Sequence, residues 1–169
     1  MAPLPSMLEH ILLRDLKTLR DDVEAYPDED AIWAQPPGLP NSGGTLVLHL
    51  AGNIQHFIGA RLGGSDFIRD RTAEFGLRNV PRAELLAAVD AATAAVRATF
   101  PRLSGADLGL PFPDMLRDRV VETGDMLLHL AVHLGYHLGQ VDYHRRVVTG
   151  DSKSVGALPA TGLFTARLA

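Results

Sequence analysis

The sequence predicts an all-α chain, a four-helix bundle with long crossover connections. Two observations carry that expectation. Apolar residues recur at spacings of three and four in four stretches of about 18–25 residues, and long segments bearing proline and glycine separate them.

The first stretch runs from Ser6 to about Tyr26, with Leu8, Ile11, Leu12, Leu16, Leu19 and Val23 on one face and Arg14, Lys17, Asp21 and Asp22 pointing elsewhere. Ser6 and Glu9 match the pattern of a capping box. Pro27 then opens the loop PDEDAIWAQPPGLPNSGG, because proline fixes φ and lacks a donor. Trp33 in that loop is expected to plug the end of the bundle rather than line a pocket. The second helix is expected from Thr45 to about Leu62, with Leu46, Leu50 and Phe57 inward and His49, Asn53 and His56 at the border of the buried side. Gly63 and Gly64 stop it, and SDFIRDRTAEFGLRNV reads as an irregular crossover.

Pro81 is placed in the first turn of a third helix that extends to Leu103, with Leu85, Val89, Ala92, Val96 and Phe100 as its core face. Gly105 to Val121 is a second long connection containing a short extended pair. Thr123 or Asp125 is expected to cap the fourth helix, which buries Leu127, Leu130, Leu134, Leu138 and Val141 and ends at Thr149 before Gly150. Arg145 and Arg146 then sit where the helix dipole favours cations. No helix is assigned to the tail beyond Asp151, and residues 1–169 are expected to form a single domain.

A chain of 169 residues is long enough to bury one substantial core. The absence of cysteine excludes disulfides, thiolate metal sites and a cysteine nucleophile, and suits a reducing cytosol. A net charge of −4 with interspersed signs disfavours nucleic-acid binding through phosphate neutralisation. The N-terminus lacks a basic region followed by an apolar run, and no segment has about 18 uninterrupted apolar residues, so a cytoplasmic protein without a membrane partner is expected.

Four of the seven histidines lie in DMLLHLAVHLGYHLGQVDYHRRVVTG, where His129, His133, His137 and His144 share one stripe with Gln140 at the edge of the packed side. Imidazoles four residues apart on a helix can converge on one ion. Adding one residue from a facing helix gives a facial three-nitrogen set, for which His49, His133 and His137 are the candidates. This set leaves a position for water or substrate. His129 with His133 is an equally spaced pair, and His56 lies two turns from His49, so spacing alone leaves the register open. His129, His56, His144 and Gln140 are candidates for orienting the ligands. Asp15, on the apolar side of the first helix, is a candidate carboxylate partner for a histidine. A histidine at a helix border is more often a hydrogen-bonded core residue, which is the reading given to His10 and His144.

HLAGNIQHFIGA in the second helix and HLAVHLGYHLGQVDYHRR in the fourth resemble the two signature regions of the DinB-like superfamily, the DinB/YfiT-type metalloenzymes. That family includes thiol-dependent S-transferases and a mycothiol-dependent maleylpyruvate isomerase. The resemblance extends from the first helix to Gly150. It implies a DinB/YfiT-like bundle and a divalent ion, zinc or nickel, held by His49, His133 and His137, because Gly139 and Gln140 follow the last of these as in the family motif. Leu138 stands where the family commonly has arginine.

The resemblance further implies a homodimer and a small-molecule substrate, with a low-molecular-weight thiol as a possible cosubstrate. Thiol transfer and hydrolysis would both use the three ligands. Asn53, Gln140, Tyr136 and Tyr143 are candidate pocket residues, although tyrosines on the outer flank of a helix more often serve surface or dimer contacts. The alternative is a non-catalytic metal-binding or interaction module, in which a fourth protein ligand would close the coordination sphere.

Overall fold

In the first helix, α1 (Leu4–Ala25), Leu8, Leu12, Leu16, Leu19 and Val23 are buried along one face, as the spacing requires. The computed structural model describes residues 3–115, 117–156 and 159–168. It is all-α among them, with α2 (Glu29–Trp33), α3 (Gly43–Ile54), α4 (Arg71–Gly76), α5 (Arg82–Thr99) and α6 (Thr123–Thr149) following α1. The four longest helices pack in a ring, α1 and α3 each lying against both α5 and α6. Leu85, Val89, Ala92, Val96 and Phe100 from the α5 region meet Leu127, Leu130, Leu134 and Val141 from α6 in one core. No helix among the described residues is long and apolar enough to cross a membrane.

Several helix ends differ from expectation. Helix α1 starts at Leu4 with proline in its first turn and no side-chain cap, so Ser6 and Glu9 form no capping box. Pro81 is the residue before α5, not within its first turn. Helix α5 ends at Thr99, and a 3₁₀ turn over Phe100–Arg102 carries Pro101, which lacks the N–H an α-helix would use. Neither Thr123 nor Asp125 caps α6. Glu122 precedes the helix without a side-chain cap, and the Thr123 hydroxyl instead donates to Leu110 O at 3.0 Å. In place of the expected extended pair, an isolated antiparallel bridge joins Pro111 to Glu122. Gly150 ends α6 at φ 70°, the left-handed conformation that favours glycine.

The expected second helix is composite. After Ile54 the backbone widens into π-helical turns over Gln55–Leu62. The wider turn changes the phase, so Ile54 and Ile58 are buried while Phe57 is only partly so, and His56 no longer continues the face of His49.

Two short helices occupy segments read as irregular. Asp28 starts α2 by accepting from Ala31 N at 2.8 Å, and Asp70 starts α4 by accepting from Ala73 N at 2.8 Å. Trp33, at the end of α2, is buried against α3 and donates from Nε1 to Val80 O at 3.1 Å, which makes it the expected plug.

Two polar knots tie α6 to α1. His144 accepts at Nδ1 from the Tyr26 hydroxyl at 2.7 Å and donates from Nε2 to Ala34 O at 2.8 Å, so it is neutral and structural. Arg145 is 1% exposed. Its Nε donates to Asp22 at 3.1 Å and its Nη2 to Asp142 at 3.0 Å. Asp22 thus points into the core rather than outward, and Arg145 is a buried ion-pair centre rather than a cation at a helix end. Burial pushes the Asp22 carboxyl up to about 7 against the pull of Arg145.

Removing one partner of a buried ion pair leaves an uncompensated charge. Arg145→Met is expected to destabilise the chain by about 3–5 kcal/mol in urea unfolding followed by circular dichroism. Adding Asp22→Asn to it should restore part of that loss, and an unchanged midpoint for Arg145→Met alone would contradict the assignment.

Candidate metal centre

Helices α3 and α6 face each other across a seam, and their border residues bring His49, His133 and His137 together. One ligand-capable atom from each lies within 4.8 Å of the others. His49 is 6% exposed, and the two α6 histidines are half-buried. His49 Nε2 and His133 Nε2 are 3.3 Å apart. A tetrahedral ion with metal–nitrogen bonds of about 2.0–2.1 Å would hold two nitrogens about 3.3–3.4 Å apart, so this pair already has the separation such a site needs. The His49 and His137 rings are nearly perpendicular, with centroids 5.3 Å apart. The donor set fits a divalent ion of the zinc type.

The outward nitrogens are fixed by other side chains. Gln140 Oε1 can only accept, so His137 donates to it from Nδ1 at 2.6 Å and keeps its Nε2 lone pair free. His49 Nδ1 lies 3.1 Å from Glu74 Oε2, and donation to that carboxylate frees its Nε2 in the same way. Arg69 holds Glu74 bidentately, Nε to Oε1 at 2.6 Å and Nη2 to Oε2 at 2.8 Å. Arg69 Nη2 also comes within 3.3 Å of His49 Nδ1, but its proton is directed to the shorter carboxylate contact. Burial works to raise the Glu74 carboxyl, yet hydrogen bonds from Arg69 and His49 outweigh it and hold Glu74 below the usual range, ionised at neutral pH. Glu74 reaches the seam because Gly52, one turn past His49, has no side chain. A methyl group there would collide with the carboxylate.

His133 differs from its neighbours. Its Nδ1 is buried without a partner among the described residues, as is Asn53 Oδ1. Burial, reinforced by the nearby His137, His49 and His129, pushes its pKa down to about 4, so its imidazole is neutral near pH 7.

The remaining candidates separate clearly. Gln140 orients a ligand. His129 is exposed, with its ring 5.8 Å from that of His133, and stays outside the converging group. His56 pairs with Asp114 at 3.6 Å, away from the cluster. Asp15 binds Arg14 at 2.8 Å instead of a histidine, and His10 bonds to Gly162 O at 2.9 Å. Among the described residues no carboxylate or fourth histidine joins the set. Glu74 and Arg69 were missed in the sequence because they lie in and beside α4, too short to show a helical period. Asp70 four residues before Glu74 was the available signal, a helix-starting residue followed by Ala73.

Partners in the second layer of a metal site typically contribute about 10–100-fold in affinity. Glu74→Gln and Gly52→Ala are each expected to weaken zinc binding by about that factor in a competitive-chelator titration; equal affinity to wild type would show that Glu74 does not orient His49. Stability of the metal-free protein should also depend on acid. An unfolded histidine titrates near about 6.5 and His133 in the fold near 4, so the unfolded chain takes up the proton first. Stability is fully present above about pH 6.5 and declines as the pH falls towards 4. Urea midpoints at pH 7, 6 and 5 test this, and His133→Gln should flatten the decline.

Comparison with known proteins agrees with the site's place in the fold. No curated protein and no solved structure matches the chain significantly. The family model described as the DinB superfamily matches residues 12–141, a span that includes all three converging histidines, Glu74 and Gln140. The chain belongs to the DinB superfamily.

Proposed function

We propose that this chain is a metal-dependent enzyme acting on a small molecule, with His49, His133 and His137 as ligands of one divalent ion. The observation that carries the reading is a converging set of three imidazoles, two with their outer nitrogens held by Glu74 and Gln140, and no fourth protein ligand beside them among the described residues. A closed structural site would normally have that fourth ligand. Zinc or nickel is the ion that suits three imidazole nitrogens, and the absence of cysteine leaves no thiolate competitor in the chain. Bound there, the ion supplies Lewis acidity, which makes a nucleophile of water or a thiol near neutral pH.

The chain's own residues set the conditions for that chemistry. Glu74, locked by Arg69, aims the His49 Nε2 lone pair into the seam. Gln140 does the same for His137, and burial keeps His133 unprotonated. Thiol S-transfer and hydrolysis both suit this arrangement, the first being what the family resemblance favours. A homodimer in the cytoplasm belongs to the same reading.

Elemental analysis of untagged protein tests it. Wild type, His129→Ala and His56→Ala are expected to retain about one equivalent of metal, and His49→Ala, His133→Ala and His137→Ala to lose it. Failure of the wild type to take up zinc or nickel would sink the metalloenzyme reading and leave a helical interaction module.

A further inference from the structure

One wall of the seam opens into a cavity of about 310 Å³ between α6 and the loop ahead of α3. This lies at the small end of ligand pockets, which run from about 300 to 1,000 Å³. His137 and Gln140 form one end of it, and Leu39, Leu46, Val147 and the rings of Tyr136 and Tyr143 form the sides. No Asp, Glu, Lys or Arg lines it. His144 contributes to the wall but carries no charge, since Tyr26 donates to one ring nitrogen and the other donates to Ala34 O.

The two tyrosines are seven residues apart on α6, on the same side and about 10 Å apart along the axis. They are 65% and 66% exposed. Their rings are nonetheless positioned. Tyr136 stands edge-on to His137 with centroids 5.1 Å apart, and Arg146 covers one face of Tyr143 at 5.0 Å. A cavity of similar size between α1 and α6 is lined by Asp15, Asp22 and Asp142, so the lack of charge beside His137 is not general to the molecule.

We propose that this cavity binds the uncharged, ring-bearing body of the substrate, an aromatic or alicyclic molecule with a neutral acceptor such as a carbonyl. Gln140 spends its Oε1 on His137, which leaves its amide N–H groups to donate to that acceptor. In the metal-free protein an ion entering the cavity would give up hydration without meeting an Asp, Glu, Lys or Arg side chain in its lining, whereas a neutral ring exchanges water for tyrosine faces and aliphatic carbon. The inference rests on the metalloenzyme reading for its claim that the occupant is a substrate.

The test is a ¹H–¹⁵N NMR titration of zinc-loaded and metal-free protein with benzamide and acetophenone as neutral probes, and benzoate and benzylamine as charged ones. The neutral probes are expected to shift amides near Leu39, Asn41 and residues 136–147, binding at least about tenfold more tightly than the charged pair in metal-free protein. Val147→Trp, which fills the cavity from an exposed position, should abolish those shifts, and Leu39→Arg should improve benzoate binding. The inference is overturned if neither neutral probe binds there, if benzoate or benzylamine binds metal-free protein equally well, or if Val147→Trp changes nothing. Zinc content on the same samples separates the two readings. One equivalent of zinc without neutral-probe binding removes the cavity inference and leaves the metal site. Probe binding in a protein that takes up no metal removes both the metalloenzyme reading and the substrate role.

Discussion

An imidazole buried between helices needs both ring nitrogens accounted for, and the seam between α3 and α6 meets that demand from the outside inward for His49 and His137, while His133 Nδ1 has no partner among the described residues. Glu74 accepts from His49 and Gln140 from His137, so the lone pairs that remain point towards one another. Without an ion the seam leaves a polar atom unmatched: His49 Nε2 and His133 Nε2, 3.3 Å apart, can share one proton, and His133 Nδ1 then stays buried without a partner. A divalent cation held there would accept one lone pair from each of His49, His133 and His137. The arrangement could hold an ion, and the buried leucines on the same two helices pack the backbone that carries it.

The same constraint explains features that look unrelated. Gly52 is small so that a carboxylate can lie against α3. Arg69, whose guanidinium carbon lies 5.7 Å from the Phe57 ring centre, pairs with that carboxylate and keeps it ionised. The crossover that carries Arg69 and Glu74 is thus part of the site, although it contributes little to the core. Two turns further along α6, His144 and its neighbour Arg145 use the same residue types for a different end, anchoring the helix to Tyr26 and to Asp22 of α1 through contacts already satisfied within the protein. His144, with both nitrogens bonded, serves packing, whereas His49 and His137 each keep one nitrogen free for the converging group.

Much of this was legible in the chain itself. The core faces of α5 and α6 follow directly from 3.6-residue periodicity, because a long helix has enough turns for packing to dominate its composition. The i,i+4 spacing of His133 and His137 likewise placed two imidazoles on one border, while the choice of that pair over His129 and His133 rested on the family resemblance, through Gly139-Gln140. What the sequence hid was whatever depended on short elements or long-range pairing. Helix α4 has six residues, less than two turns, so Glu74 gave no periodic signal. The π-helical turns after Ile54 moved His56 away from the face it shares with His49 in an ideal helix. Asp22 resembled a surface residue until its partner Arg145, 123 positions away, supplied the charge that permits its burial.

X-ray absorption at the zinc edge of the loaded wild-type protein tests the central claim most directly, because it reports the donor atoms themselves. Three imidazole nitrogens at about 2.0–2.1 Å, with the outer-shell scattering of rigid rings and one further light atom, are the predicted result. A first shell with one imidazole or none, or one dominated by carboxylate oxygens, would contradict a centre built from His49, His133 and His137.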